Sequence, residues 1–289
     1  MKRDEVNMSI KLVALDMDGT TLNDEKQITP YTKQVLEKAM EEGIIILACT
    51  GRPANGIPQV FSSLKGIQYA ISSNGARIVD VVHNKILHEQ LIDVEEMNSI
   101  MKLVSKYNTY REVFWNGVGY TTTAMYEQIT EYLTEYMKEY IGKTRIMVDN
   151  LEEEISKKHT SCDKIHIAFA DLEERKQAIA ELQLLGNYEF HGALLNNMEI
   201  TAANTSKGTS IVKLGEILGI KREEIMAIGD GMNDASMLRE VGLPIAMENA
   251  VPELKRYAKY ITDSNNEDGV AKAIEKFVLN KESEIDEWN

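Results

Sequence analysis

What most constrains this chain is a short apolar run, Ile10 to Leu15, that stops at Asp16-Met17-Asp18-Gly19-Thr20-Thr21. A run of that length reads as a strand buried on both faces, as in a parallel sheet. The pattern recurs twice: Ile44 to Cys49 ends at Thr50-Gly51-Arg52, and Ile225 to Ile228 ends at Gly229-Asp230-Gly231-Met232-Asn233-Asp234. Tyr69-Ala70-Ile71 is a weaker strand that leads into Ser72-Ser73-Asn74-Gly75. Between the first two strands, Thr29-Pro30 supplies an N-cap and first helical residue, and Val35, Leu36, Ala39 and Met40 form the apolar stripe. Gly43 ends that helix. Strand, helix, strand with a short crossover makes a parallel pair. Parallel strands bring their carboxyl ends to one edge, where ligands collect, so the polar clusters become one crevice.

At 289 residues the chain is long for a single domain. From residue 84 to about 202 the texture changes to amphipathic helices and half-polar strands. Val94, Met97, Ile100, Met101 and Val104 mark one helix, and Tyr126, Ile129, Leu133 and Met137 a second. Val113 to Tyr120 reads as a hairpin turning at Asn116-Gly117, and Lys164 to Phe169 alternates like a strand with one covered face. The expected fold is therefore a doubly wound parallel α/β core from residues 1–83 and 203–289, interrupted by an α+β module at 84–202.

Composition excludes several classes. The net charge of -14, with no basic stripe to offset it, argues against nucleic acid as a partner. No apolar run approaches ~18 residues, so nothing reads as a membrane span, and no signal peptide is expected. Cys49 and Cys162 lie far apart without metal spacing, and the five histidines form no ligand pattern. A reducing cytoplasm fits. Met1 to Asn7 is polar, and Met8 is an alternative start.

Crowded carboxylates at one edge would repel and raise one another's pKa values. A hard divalent cation resolves the conflict, and oxygen-only ligands favour Mg²⁺ over zinc. A hydroxyl, a lysine and helix N-termini beside it suit a bound phosphoryl group. The four clusters, Asp16 to Thr21, Thr50-Gly51-Arg52, Lys207-Gly208 and Gly229 to Asp234, resemble in order and interval the motifs of the haloacid dehalogenase superfamily. Within it the chain resembles the Cof-type phosphatases, which carry a large α/β cap.

That resemblance implies a Mg²⁺-dependent hydrolase of small phosphomonoesters such as sugar phosphates. Asp16 would be the nucleophile that forms an aspartyl-phosphate. Asp18 would serve as acid and then base, with its backbone carbonyl facing the metal. Asp230 would ligate Mg²⁺, with Asn233 and Asp234 in or near the coordination shell. Thr50 would bond the phosphoryl group, and Lys207 would neutralise it and hold Asp16. Gly51, Arg52 and Asn74 sit where substrate is bound, although Arg52 and Asn74 also read as ordinary loop residues. A monomer or weak homodimer is expected. A phosphomutase of the same superfamily is the alternative enzyme, and a non-catalytic phosphometabolite-binding protein is the alternative class. Product analysis separates the first, and turnover of an aryl phosphate the second.

Overall fold

The computed structural model describes residues 9–192 and 195–279. In chain order the strands begin with β1 (Leu12–Leu15), β2 (Ile45–Cys49), β3 (Tyr69–Ser72), β4 (Arg77–Asp80) and β5 (Lys85–Glu89). Next come β6 (Thr109–Trp115), β7 (Val118–Thr122), β8 (Arg145–Val148), β9 (Lys164–Phe169), β10 (Tyr188–His191) and β11 (Asn197–Ala202). β12 (Ile225–Gly229), β13 (Leu243–Ala246) and β14 (Tyr260–Ile261) complete the set. They form two sheets, ordered β14-β13-β12-β1-β2-β3-β4-β5 and β10-β11-β9-β6-β7-β8.

In the first sheet every pair from β14 to β3 is parallel, and the order reverses at β1, which lies between β12 and β2. This is the doubly wound arrangement expected from the sequence. β4 and β5 add an antiparallel edge that the sequence reading did not foresee. Lys85–Glu89 therefore belongs to the first sheet, although the sequence texture changes at residue 84. Its burial pattern is mostly exposed, as an edge strand allows, so it carries no buried-strand signature. The helix after β1 runs Pro30–Glu41, and Thr29 caps it by accepting from the Thr32 backbone N–H. It packs with Gly269–Ile274, while the helix Lys207–Leu218 packs with Ala235–Glu240.

The second sheet is apolar along one face, and on the other Tyr110 and Ala168 pack with Ile129, Leu133 and Ile141. Val113, Trp115, Ile165, Ile167, Met198 and Ile200 join Met97, Ile100 and Met101 of the helix Val94–Val104, and Leu182 of the helix Leu172–Leu185, in one buried cluster. Trp115 and Tyr120 belong to this packing and meet edge to face at 5.2 Å. Asn116 and Gly117 both take positive φ, as a type I′ turn requires. The single helix expected around Tyr126 to Met137 is instead Thr123–Glu127, a tight turn at Ile129–Glu131, and Glu135–Thr144. Thr134 caps the last piece and so starts it afresh. In β9 all six residues are buried, so its polar face is covered as well.

Candidate active site

Asp16 follows β1 and Asp230 follows β12, the two strands at which the sheet order reverses. Ligands of such sheets bind outside the carboxyl ends of the strands at this point. Lys207, at the start of its helix and fully buried, donates from Nζ to Asp16 Oδ1 at 2.6 Å and to Asp234 Oδ1 at 2.5 Å. Asp234 Oδ2 accepts from the backbone N–H groups of Asp230 and Gly231 at 2.9 and 3.0 Å. Thr20 donates to Asp230 Oδ1 at 2.7 Å. Gly19 lies directly under the Asp230 carboxylate, with φ +78 and room for no side chain: a Cβ there would stand 2.4 Å from Oδ2. Any other residue would be strained and would displace Asp230.

The electrostatics follow from this crowding. Burial pushes the Asp16 carboxyl well above its ordinary pKa; Lys207 opposes the rise, and Asp234 and Asp230 add to it. Burial, then the Asp234 charge, lifts Asp230 from 3.8 to about 6. Burial also penalises the Lys207 ammonium, but Asp16 and Asp234 outweigh it and raise its pKa. Carboxylate oxygens of Asp16, Asp230 and Asp234 all lie within 4.8 Å of one another. Three carboxylates face one ammonium here, and the donor set is oxygen alone. These residues fit a hard divalent cation.

Asp18 is held apart from this cluster. Arg52 grips it with Nε to Oδ2 at 2.6 Å and Nη2 to Oδ1 at 2.8 Å, and Lys26 adds a contact at 3.1 Å. Burial raises the Asp18 pKa, but the Arg52 and Lys26 bonds and charges win and hold it below its ordinary value. The Thr50 hydroxyl accepts from the Arg52 backbone N–H at 3.1 Å. Gly51 leaves room for Asn74, whose Oδ1 would lie 2.8 Å from any Cβ on residue 51. Asn74 itself is left-handed at φ 56 and donates to Glu199 of the second sheet at 2.5 Å. Asn233 is half-buried beside Gly231.

The structure thus gathers Asp16, Lys207, Asp230 and Asp234 into one cluster, with Asp18 and Arg52 paired beside it. Sequence reasoning missed Thr20, Lys26, Lys164 and Glu199. Lys164 and Glu199 share the polar faces of β9 and β11 with His166, Asn197 and Thr201, a signal that reads equally as a solvated face. Cys49 and Cys162 are buried and unbridged. Among the described residues no helix is long and apolar enough to cross a membrane.

A sequence profile of the haloacid dehalogenase-like hydrolases matches residues 13–274. The chain belongs to that family. Within it the chain is a phosphatase of the Cof type, as its motifs implied. It is 31% identical over 279 residues to the 5-amino-6-(5-phospho-D-ribitylamino)uracil phosphatase YcsE of Bacillus subtilis (strain 168), covering 96% of this chain and 99% of that one. It is 29% identical to phosphatase YwpJ of the same organism, over 91% of this chain and 98% of the relative. Among solved structures it superposes on a haloacid dehalogenase-like hydrolase from B. subtilis with a TM-score of 0.82 at 26% identity, over 93% and 100% of the two chains. It also superposes on the HAD subclass IIB sugar phosphatase BT4131 with a TM-score of 0.77 at 25% identity, over 92% and 98%.

Proposed function

We propose that the chain hydrolyses small phosphomonoesters, phosphorylated sugars or polyols among them, in the cytoplasm with Mg²⁺ as cofactor. The observation that carries this reading is the buried Asp16–Lys207–Asp234 chain of bonds, with the Asp230 carboxylate within 4.8 Å of those of Asp16 and Asp234. Lys207 fixes Asp16 through one oxygen, so the other is left to attack phosphorus. Attack forms the Asp16 O–P bond and breaks the bond from phosphorus to the leaving alkoxide. Asp18 supplies the proton to that alkoxide, then takes one from the water that hydrolyses the aspartyl-phosphate. Arg52 and Lys26 hold Asp18 in place and as the carboxylate, the form that the second step needs. For the first, Asp18 takes up a proton from solvent on one oxygen before attack, while Arg52 keeps its bond to the other. Thr50 and Lys207 hold the phosphoryl oxygens.

Asp16 and Asp230 would hold Mg²⁺ with the Asp18 backbone carbonyl and Asn233, and Asp234 would brace them from behind, both its oxygens being engaged. The ion supplies positive charge against the phosphoryl oxygens. The second sheet with its helices acts as a cap that chooses the alcohol. The names of the ribitylaminouracil phosphatase and the sugar phosphatase support that substrate class. The test is turnover of p-nitrophenyl phosphate with Mg²⁺ by wild type and Asp16→Asn. Wild type should release inorganic phosphate, and the variant should lose activity by at least ~10⁴-fold, as when a nucleophile is removed. Substantial activity in Asp16→Asn, with deamidation excluded by mass, would overturn the covalent mechanism.

A further inference from the structure

The loop Thr50-Gly51-Arg52 is fastened by all three of its carbonyls. Thr50 C=O accepts from the Asn74 backbone N–H at 3.1 Å, and Arg52 C=O from that of Ser73 at 2.8 Å. Both donors follow β3, in the first sheet. The middle carbonyl, of Gly51, accepts instead from Lys164 Nζ at 2.8 Å, and Lys164 belongs to β9 of the second sheet. Lys164 is buried and bonded also to Glu199 of β11. Glu199 in turn accepts from Asn74 Nδ2. The loop is therefore pressed between the sheets, with a Cβ on Gly51 reaching 2.8 Å from Asn74 Oδ1 and 3.4 Å from Glu199 Oε2.

The seam is costly to build. A buried lysine and a half-buried glutamate must be desolvated, and such pairs seldom add stability. Ser73 and Asn74 both hold positive φ, at 52 and 56, which non-glycine residues rarely adopt. Ser72 Oγ, Ser73 Oγ and Asn74 Oδ1 are buried without hydrogen-bond partners. Strain and unsatisfied groups gather at the point where the second sheet meets the loop, and Arg52 carries that loop's position onward to Asp18.

We infer that Lys164, aligned by Glu199, is a positioning residue that sets the Thr50–Arg52 loop, and through Arg52 the Asp18 carboxylate, only while the second sheet is seated. This rests on the roles proposed above for Thr50 and Asp18. The loop is then competent in the seated state and slack when the sheets part. Displacement of reacting groups by about 1 Å costs on the order of 10²-fold in rate.

The test uses the full chain with Lys164→Met, Lys164→Arg and Lys164→Gln. Lys164→Met should lower kcat on p-nitrophenyl phosphate by about 10- to 100-fold with KM changed less than about threefold, and Lys164→Arg should recover most of it. Hydrogen exchange gives a readout that does not depend on turnover. The Ser73 and Asn74 amides, bonded to the loop carbonyls, should exchange about tenfold faster or more in Lys164→Met, while those of β1 keep their protection. Should Lys164→Met not fold, Lys164→Gln, too short to reach Gly51, should give the same two changes. A lowered melting temperature with unchanged kcat and unchanged exchange would show a structural pair only and overturn the inference. If wild type itself shows no turnover, the proposed function fails, and exchange alone decides this inference.

Discussion

Asp16, at the end of β1, and Glu112, in the middle of β6, are both buried carboxylates. Asp16 has Asp230 and Asp234 for neighbours and Lys207 as the only cation bonded to it in the structure described. Glu112 receives Arg145 Nε on one oxygen and His166 Nδ1 on the other, each at 2.7 Å. Burial raises both carboxyls. At Asp16 it prevails, whereas at Glu112 the Arg145 charge and the His166 bond overcome it and bring the pKa to about 2. The same cost of desolvation thus has two outcomes. Around Glu112 the charges close on themselves, and nothing more is needed. Around Asp16 they do not, and the deficit is one of positive charge. A cluster left open in this way is where a cation and a substrate's phosphoryl group have something to gain.

Removing Lys207 should sharpen the contrast most. Lys207→Met leaves Asp16 and Asp234 buried without their ammonium, a change of roughly 3–5 kcal/mol in stability by denaturant melting. Turnover should fall with it by about 10³-fold, since the same group holds Asp16 and faces the phosphoryl oxygens. Asp18→Asn should come next, at about 10²–10⁴-fold in steady-state kcat, while rapid quench still finds phosphate on Asp16. If its burst vanished along with turnover, Asp18 would be needed for attack and not for proton transfer.

Glu112→Gln should differ from Lys207→Met in one respect: stability should again drop, by about 1–3 kcal/mol, but kcat should change much less. The folded pKa of Glu112 lies below its ordinary 4.5, so its contribution is present above that pH and is lost as pH falls through about 2. Comparing wild type with Glu112→Gln from pH 6 down to pH 2 reads this directly, because the difference in melting temperature should shrink. A constant difference would mean that packing, not charge, holds Glu112 in place.

Much of this was legible in the sequence because buried parallel strands announce themselves. Leu12 to Leu15 is apolar throughout, and the polar residues that follow must lie at the carboxyl edge. The convergence of Asp16, Asp230 and Asp234 follows from the pairing of β1 with β12, whereas Lys207 reaches them from the start of the helix Lys207–Leu218 and was legible through its motif. Arg52 was harder. As a loop residue it was read as a substrate contact, and nothing local shows that its guanidinium closes on Asp18, 34 residues earlier. Lys164 and Glu199 were hidden for another reason. Alternation in β9 gives a polar face, and periodicity does not say whether water or another sheet covers it. The β4–β5 hairpin was missed because its edge strand buries little and so leaves no apolar run.

The central claim, that the Asp16 cluster lacks a positive charge which the Glu112 cluster already has, is tested most directly by melting metal-free wild type and Asp230→Asn with and without Mg²⁺. Asp230 is raised from 3.8 to about 6, so the folded state binds its proton more tightly, and that stability is lost as pH rises through about 6. At pH 7 the metal-free Asp230→Asn variant should therefore melt above metal-free wild type, with the gap closing below pH 4. Mg²⁺ at a hundred times its dissociation constant should stabilise wild type by about 2.7 kcal/mol and the variant far less. If Mg²⁺ left the wild-type melting temperature unchanged, or if Asp230→Asn melted below metal-free wild type at pH 7, the cluster would already be balanced and the account would be wrong.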